Sequence, residues 1–357
     1  MTLNVLHFHS GNIFGGVERL LLDLAGTDVG VRHAFALCWP GETADRLRAV
    51  GTVHLLEPVR FSRPWQVRRA RRRARALLAE SRPDRVVTHS DWSHAIFGPE
   101  SARAGVLHVR MHHSPPGHPL LRWAAARVPT ARHVANSRWT ASHGLPHAAI
   151  LYPPVRPPVV HTDRETVRRT LGTPPDVVVI VMVARMEAWK GHCALIDAFA
   201  TVDLANAELW IVGGPQSSSE EAYAAALPRP ARVRFLGQRR DVADLLAAAD
   251  VYCQPNAAPE PFGIAIVEAL YMGLPVIATH QGGPAEIVAP TCGALIPPND
   301  HRALVTTLSE FIVDPSQRQR LSAGGPPRAA ALCDPVRQAT AFAALLRDAG
   351  DATFPRR

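Results

Sequence analysis

Lysine is almost missing from this chain. Of its 39 basic residues only Lys190 is lysine, and the others are arginine. Together with abundant alanine and proline this points to a GC-rich coding bias, of the kind found in actinobacteria. Cysteine is scarce too. Cys38, Cys193, Cys253, Cys292 and Cys333 are widely spaced and none belongs to a C-x-x-C, which removes a zinc ribbon or a disulfide framework and leaves buried thiols as the expectation. No apolar run reaches the ~18 residues of a membrane span. The longest, Val177 to Ala184, suits a buried parallel strand. No basic n-region or cleavage site precedes Leu3–Phe8, so the expected compartment is cytoplasmic. D-x-D, H-E-x-x-H, G-x-S-x-G, the Walker loop and G-x-G-x-x-G are all absent. Metalloprotease, hydrolase and dinucleotide-binding readings have no support, and neither does the usual carboxylate pair for a metal-bridged diphosphate.

What charge there is lies in one place. The formal net charge is +8, and the stretch from Arg60 to Arg85 holds ten arginines against Glu80 and Asp84, so it accounts for the whole excess. The basic character is therefore a local patch, not a nucleic-acid-like surface, and no nucleic-acid partner is expected. Within it Val67, Ala70, Ala74, Leu77 and Leu78 form a helical apolar stripe. A solvated helix packed on its own domain is the simpler expectation. The alternative is peripheral contact with an anionic membrane, or with a phosphorylated acceptor.

With 357 residues, 47% of them apolar, the chain can fill two cores. Strand and helix patterns alternate along it. Strands are expected at Leu3–Phe8, His33–Cys38, Arg85–Thr88, Val106–Met111 and His133–Asn136, with a helix from Val17 to Ala25. The run YPPVRPPVV from Tyr152 to Val160 interrupts the pattern. It then restarts with strands at Val177–Ala184, Glu208–Val212, Val233–Leu236, Val251–Gln254 and Pro275–Thr279. The helices there are His192–Ala200, Val242–Ala249 and Ile264–Met272. The fold class is α/β: two Rossmann-like domains facing across a cleft. The expected boundaries are 1–155 for an acceptor domain, 156–175 for a linker, 176–340 for a donor domain, and 341–357 for a C-terminal helix and tail packing back on the first domain.

Four stretches carry chemistry. Gly15 and Gly16 lie in a strand-to-helix loop where backbone amides can approach a ligand, although a plain tight turn explains them as well. Arg185 and Lys190 follow the first strand of the second domain, where doubly wound sheets bind ligands. Two cations there could hold a diphosphate as it departs, and an isolated lysine among arginines marks a position that wants a compact ammonium. Glu260 precedes a helix and Glu268 lies within it. The amides of Phe262, Gly263 and Ile264 should point out of the helix start toward an anion or a sugar hydroxyl. The turn Gln281-Gly-Gly-Pro-Ala-Glu286 borders the same region.

In their order and spacing these pieces resemble the family 4 glycosyltransferases, which have the GT-B fold. The matching stretches are GGVER, Arg185…Lys190-Gly191, Glu260…Glu268 with its Phe-Gly, Gly273–Val276 and Gly282–Glu286. The resemblance implies a retaining, metal-independent transfer from a nucleotide-diphosphate sugar, with no cofactor and an acceptor the sequence does not name. It implies that Arg185 and Lys190 bind the diphosphate and Glu268 the ribose. Glu260 and the amides after it would hold the transferred sugar, and Gly16 would lie near the donor. It also implies a histidine facing the reacting sugar; of His112 and His113, the strand alignment favours His112. Ala184 departs from the usual glycine. A nucleotide-sugar epimerase and a non-catalytic nucleotide-sugar-binding subunit are the competing readings, and intact Arg185, Lys190 and Glu260 speak against the second.

Overall fold

A computed structural model describes every residue except Met1, Ile13, Pro116, His118, Pro146, Asp203 and 349–357. The chain divides into two units, Met1–Val155 with Cys333–Arg357, and Arg156–Leu332.

In the first unit, β1 (Leu3–His9), α1 (Gly16–Ala25), β2 (Val31–Leu37), α2 (Glu42–Leu47) and β3 (Thr52–Leu55) follow in order. Then come α3 (Pro64–Ser81), β4 (Arg85–Thr88), α4 (Asp91–Arg103) and β5 (Leu107–His112). The series ends with α5 (Pro119–Ala126), β6 (Arg132–Ala135), α6 (Arg138–Ser142) and β7 (Ala149–Ile150). All seven strands are parallel, in the order β3-β2-β1-β4-β5-β6-β7. The chain reverses direction across the sheet between β1 and β4. Ligands bind beyond the strand ends at such a point.

The basic stretch forms α3, and its stripe is buried as the spacing predicts: Val67, Ala70, Ala74, Leu77 and Leu78. Several of its arginines are structural. Arg71 donates to the carbonyls of Ile96 and Ala95, both at 2.9 Å, and Arg75 pairs at 3.0 Å with the fully buried carboxylate of Glu100. Arg69 and Arg73 both reach Glu57. Arg68 and Arg72 make no such contact among the described residues.

In the second unit the order is α7 (Arg164–Leu171), β8 (Val178–Val183), α8 (His192–Val202), β9 (Ala207–Val212), α9 (Ser218–Ala226) and β10 (Val233–Gly237). There follow α10 (Val242–Ala248), β11 (Val251–Gln254), α11 (Ile264–Tyr271), β12 (Val276–Thr279), α12 (Pro284–Ile287), β13 (Gly293–Ile296) and α13 (His301–Val313). The six strands are parallel in the order β10-β9-β8-β11-β12-β13, with the reversal between β8 and β11. Val178–Val183 is apolar on both faces because helices cover both. Helix α14 (Pro315–Cys333) leads back to the first unit, where α15 (Pro335–Asp348) buries Ala339, Phe342, Ala343 and Leu346.

The expected boundaries need adjusting in two places. The stretch 156–175, expected as a linker, is part of the second unit. Asp163 caps α7 by accepting from the Thr166 amide at 2.9 Å. Arg164 and Arg168 then pin the helix to Asp250 at 2.6 and 2.7 Å. The return to the first unit comes at Cys333 and not at 341, and the Val155 amide donates to the Cys333 carbonyl at 2.9 Å. The tail 349–357 lies outside the described residues. Of the cysteines four are buried; Cys193 is exposed on α8.

Candidate functional site

The richest arrangement lies beyond the C-terminal ends of β8 and β11, the reversal point of the second sheet. Gly191, at φ +87°, closes the short turn after β8, and a Cβ there would meet the Pro255 carbonyl oxygen at 2.0 Å. Two amides of the β11 loop, those of Ala257 and Ala258, donate to the Trp189 carbonyl, the first at 2.8 Å. The loops after the two strands are thus held face to face, and they carry Lys190 and Glu260 into an ion pair between Nζ and Oε2. Both side chains are largely buried, at 14% and 13% exposure. Lys190 also sits 4.0 Å from the centre of the Trp189 ring. The same Glu260 oxygen accepts from Gln254 Nε2 and Asn256 Nδ2, both at 3.2 Å. Gln254 is itself oriented by the Tyr252 hydroxyl, which donates to its Oε1 at 2.6 Å.

Behind Glu260 the backbone is fixed by a bridge to Gly282, and the Gly283 amide donates to the Glu260 carbonyl at 2.8 Å. Cβ atoms at Gly282 and Gly283 would lie 2.2 and 2.3 Å from carbonyl oxygens of this loop, so the Gly-Gly pair is there for close approach. Gly263, at φ +110°, turns the chain into α11. Phe262 is buried beneath the turn, and Ile264 opens the helix. Glu268 lies on α11. Burial first, then the charges of Glu260 and Glu268, hold the Tyr252 hydroxyl well above its usual range, so both carboxylates act on one point.

Arg185 lies elsewhere in the unit's contacts. It pairs with Glu220 of α9 and, at 3.4 Å, with Glu187. The structure therefore places Arg185 and Lys190 in two separate ion pairs. The Arg185 Nε is buried without an acceptor among the described residues.

In the first unit the Gly15–Gly16 loop is less open than expected. The Gly15 amide is taken by Glu18 Oε2 at 2.9 Å, and Glu18 Oε1 lies 2.5 Å from His9 Nε2. Burial raises the Glu18 pKa, but the His9 bond and charge and the two backbone bonds outweigh it, leaving the carboxyl below its ordinary value. Glu18, which sequence reasoning passed over, is the capping residue that shapes this loop. Its signal was present in GGVER: an acid three residues after the helix cap.

Of the two candidate histidines, His112 ends β5 and His113 follows it, and the two have different partners. His112 is buried and its Nε2 lies 2.9 Å from His133 Nδ1, away from the Gly loop's contacts. His113 Nε2 lies 3.1 Å from His89 Nδ1, and His113 feels the charges of His9 and Glu18. It ends a buried string in which His33, His7, His89 and His113 are joined ring to ring at 2.9, 2.9 and 3.1 Å. Among the described residues no group of three or more His, Cys, Asp or Glu side chains could hold a metal ion.

Residues 163–327 match the family model described as Glycosyl transferases group 1. The matched residues lie within the second unit, Arg156–Leu332. The chain is 34% identical over 171 residues to the lipopolysaccharide core biosynthesis glycosyltransferase LpsD of Rhizobium meliloti, covering 47% of each. It is 33% identical over 179 residues to a GDP-mannose-dependent monoacylated alpha-(1-6)-phosphatidylinositol monomannoside mannosyltransferase of Corynebacterium glutamicum, covering 47% of this chain and 46% of that one. The chain thus spans about half the length of the curated relatives it matches. Among solved structures it superposes on Anabaena Alr3699/HepE in complex with UDP and glucose with a TM-score of 0.84 at 24% identity, over 97% of this chain and 100% of that one. The lipopolysaccharide glycosyltransferase WaaG gives 0.73 at 19%, over 94% and 98%. The fold over the whole chain, two Rossmann-like units, is that of the GT-B glycosyltransferases.

Proposed function

We propose that this protein is a retaining family 4 glycosyltransferase that moves a sugar from a nucleotide-diphosphate donor to an acceptor hydroxyl without a metal. The observation that supports this most is the Lys190–Glu260 pair, buffered by Gln254 and Asn256 at the reversal point of a group 1 domain. A donor diphosphate competes with Glu260 for Lys190. As the bond from the anomeric carbon to the diphosphate breaks, Lys190 balances the charge that develops on the leaving group. Glu260, released from the ammonium, accepts hydrogen bonds from hydroxyls of the transferred sugar, and the amides at the start of α11 face the same anionic donor. Glu268 binds the ribose diol. Arg185 leaves Glu220 to reach the phosphates. The acceptor oxygen bonds to the anomeric carbon on the face the diphosphate leaves, and its proton passes to the departing diphosphate oxygen. In the first unit His113, kept neutral by burial that pushes it down to about 3, is the histidine assigned to the reacting sugar in place of His112.

A thermal-shift screen against UDP-, GDP-, ADP- and dTDP-sugars tests the donor assignment, since a ligand bound only by the folded state stabilises it by mass action. At least one donor should raise the melting temperature, equally with and without EDTA. A shift that vanishes on chelation and returns with magnesium would mean that a metal, and not Lys190, neutralises the diphosphate. A flat response to all four would remove the transferase reading.

Among the described residues no helix is long and apolar enough to cross a membrane. We assign the free face of α3 to peripheral contact with anionic lipid. Replacing Arg68, Arg69, Arg72 and Arg73 with glutamine should leave donor affinity unchanged and abolish a salt-sensitive retention on phosphatidylglycerol vesicles. Retention equal to wild type, or none by either protein, returns the helix to a purely structural role. Arg71 and Arg75 are left out because they hold α4.

A further inference from the structure

On the first unit, a pocket of about 570 Å³ opens between β5, β6 and α5. Its polar lining is Arg110, His112, Arg122, Thr130, His133 and His147, and no acidic side chain is among its lining residues. None of these belongs to the donor motifs. Arg110 is buried, with 6% of its surface exposed, and among the described residues its guanidinium is held by Asp91 Oδ1 at 2.5 Å. Its Nε–H is buried and has no acceptor among the described residues. A buried donor of a charged group left without an acceptor is costly, and native structures seldom keep one unless something else completes it. Burial, and then the charge of Arg110, lowers the pKa of both His112 and His133, so the wall beside the guanidinium carries imidazole rings that favour the uncharged form. Arg122, exposed on α5, adds a second guanidinium to the lining. Planar guanidinium donors without a competing carboxylate in the lining match the oxygens of a phosphate ester. The volume falls within the range of small-molecule sites, so the body of such an ester fits as well.

We infer that this pocket is a binding site for a phosphate ester, held by Arg110 and Arg122 with Thr130 and the His112–His133 pair. The site is independent of the donor assignment. The probe is inorganic phosphate, followed by the ring carbon signals of His133 in protein labelled at histidine. Phosphate should move the His133 signal saturably. Arg122→Gln should weaken that binding by about tenfold or more, the loss of one charge-assisted hydrogen bond. Arg110→Lys, which keeps a charge beside Asp91 but loses the planar fork, should weaken it too. UDP affinity should stay at its wild-type value in Arg122→Gln, whereas Lys190→Ala should weaken UDP binding and keep the His133 response. That last comparison separates failure of this site from failure of the donor reading. Glycerol 3-phosphate in solution and phosphatidic acid in vesicles distinguish the two sources of such a group: competition by the first assigns a soluble ester, and competition by the vesicles alone assigns a lipid headgroup. No saturable response in the wild type, a response of wild-type strength in both pocket variants, or its loss in Lys190→Ala would overturn the inference.

Discussion

At about pH 5 the first unit should unfold at a much lower temperature than at neutral pH, while the second unit shifts little. The cause is a set of histidines folded into the first unit in the neutral form. His33 is pushed down to about 4 by burial, His113 to about 3 by burial with the His9 charge, and His112 to about 2 by burial with the Arg110 charge. His7, His89, His94 and His108 move in the same direction, with burial again the first cause. For a histidine lowered in the folded state, the unfolded chain takes up the proton first. Its stabilising contribution is complete above the ordinary value of 6.5 and is lost as the pH falls from there toward the folded value. For His33 alone this amounts to about 2 kcal/mol at pH 5. A few such sites reach the lower end of the ~5–15 kcal/mol that holds a typical domain together. In the second unit His192, lowered to about 4, is the one described histidine with a resolved shift. The lowered carboxyls Glu208, Glu220 and Asp244 titrate further down and do not contribute at this pH. Amide hydrogen exchange read by segment separates the units. Protection in β1, β2 and β4 should fall first, and His33→Gln should soften the pH dependence. Equal loss in both units, or none between neutral pH and pH 5, would show that these histidines are not held neutral.

The periodic parts of this fold were legible in the sequence. Runs such as Val178–Val183 and Val251–Gln254 carry only one message, since a strand apolar on both faces belongs inside a parallel sheet. The five apolar positions of α3 gave the buried face of a helix whose other residues include six arginines. What escaped was set by partners distant in sequence. Helix α14 contains Gly324, Gly325, Pro326 and Pro327, residues that local preference disfavours in a helix. Its glycines instead press against Thr291 and Leu270, where Cβ atoms would lie 2.0 and 2.7 Å from carbonyl oxygens, so tertiary packing overrides local preference. The short strands β3 and β7 have too few residues to show an alternation. At the site, the types of the charged residues were legible but not their pairing. Nothing in the spacing says that Lys190 answers Glu260 while Arg185 answers Glu220, because the loops after β8 and β11 meet only once the sheet order is set. Nor does the spacing say that His112 meets His133 while His113 meets His89, because those partners lie on or just after the strands that the sheet order sets beside β5.

Lys190→Ala should lower kcat by roughly tenfold to a thousandfold while leaving the protein folded, the range seen when one group that stabilises leaving charge is removed. The variant should stay folded because Glu260 keeps its bonds from Gln254 and Asn256, and its carbonyl keeps the Gly283 amide. Arg185→Ala should lower turnover as well. Unlike Lys190→Ala it should also cost some stability, since Glu220, with a side chain only 7% exposed, loses its cation even though the Gln216 amide still donates to its carboxylate at 2.8 Å. Lys190→Arg should be impaired despite the conserved charge. The ammonium, on a side chain 14% exposed, fits between the Trp189 ring and the Glu260 oxygen that Gln254 and Asn256 also share, and a planar fork is wider than the gap a point charge fills. Full activity in Lys190→Arg would show the solitary lysine to be an accident of composition. Glu260→Gln gives the sharper contrast. If the donor diphosphate and Glu260 compete for Lys190, the neutral amide withdraws the competitor. Affinity for UDP alone should then hold or rise while kcat falls, because the carboxylate that takes the sugar hydroxyls is gone. A Glu260→Gln variant that loses UDP affinity and kcat in parallel would mean that Glu260 only holds the loop. Normal kinetics in Lys190→Ala and Arg185→Ala together would remove the diphosphate from this end of the sheet.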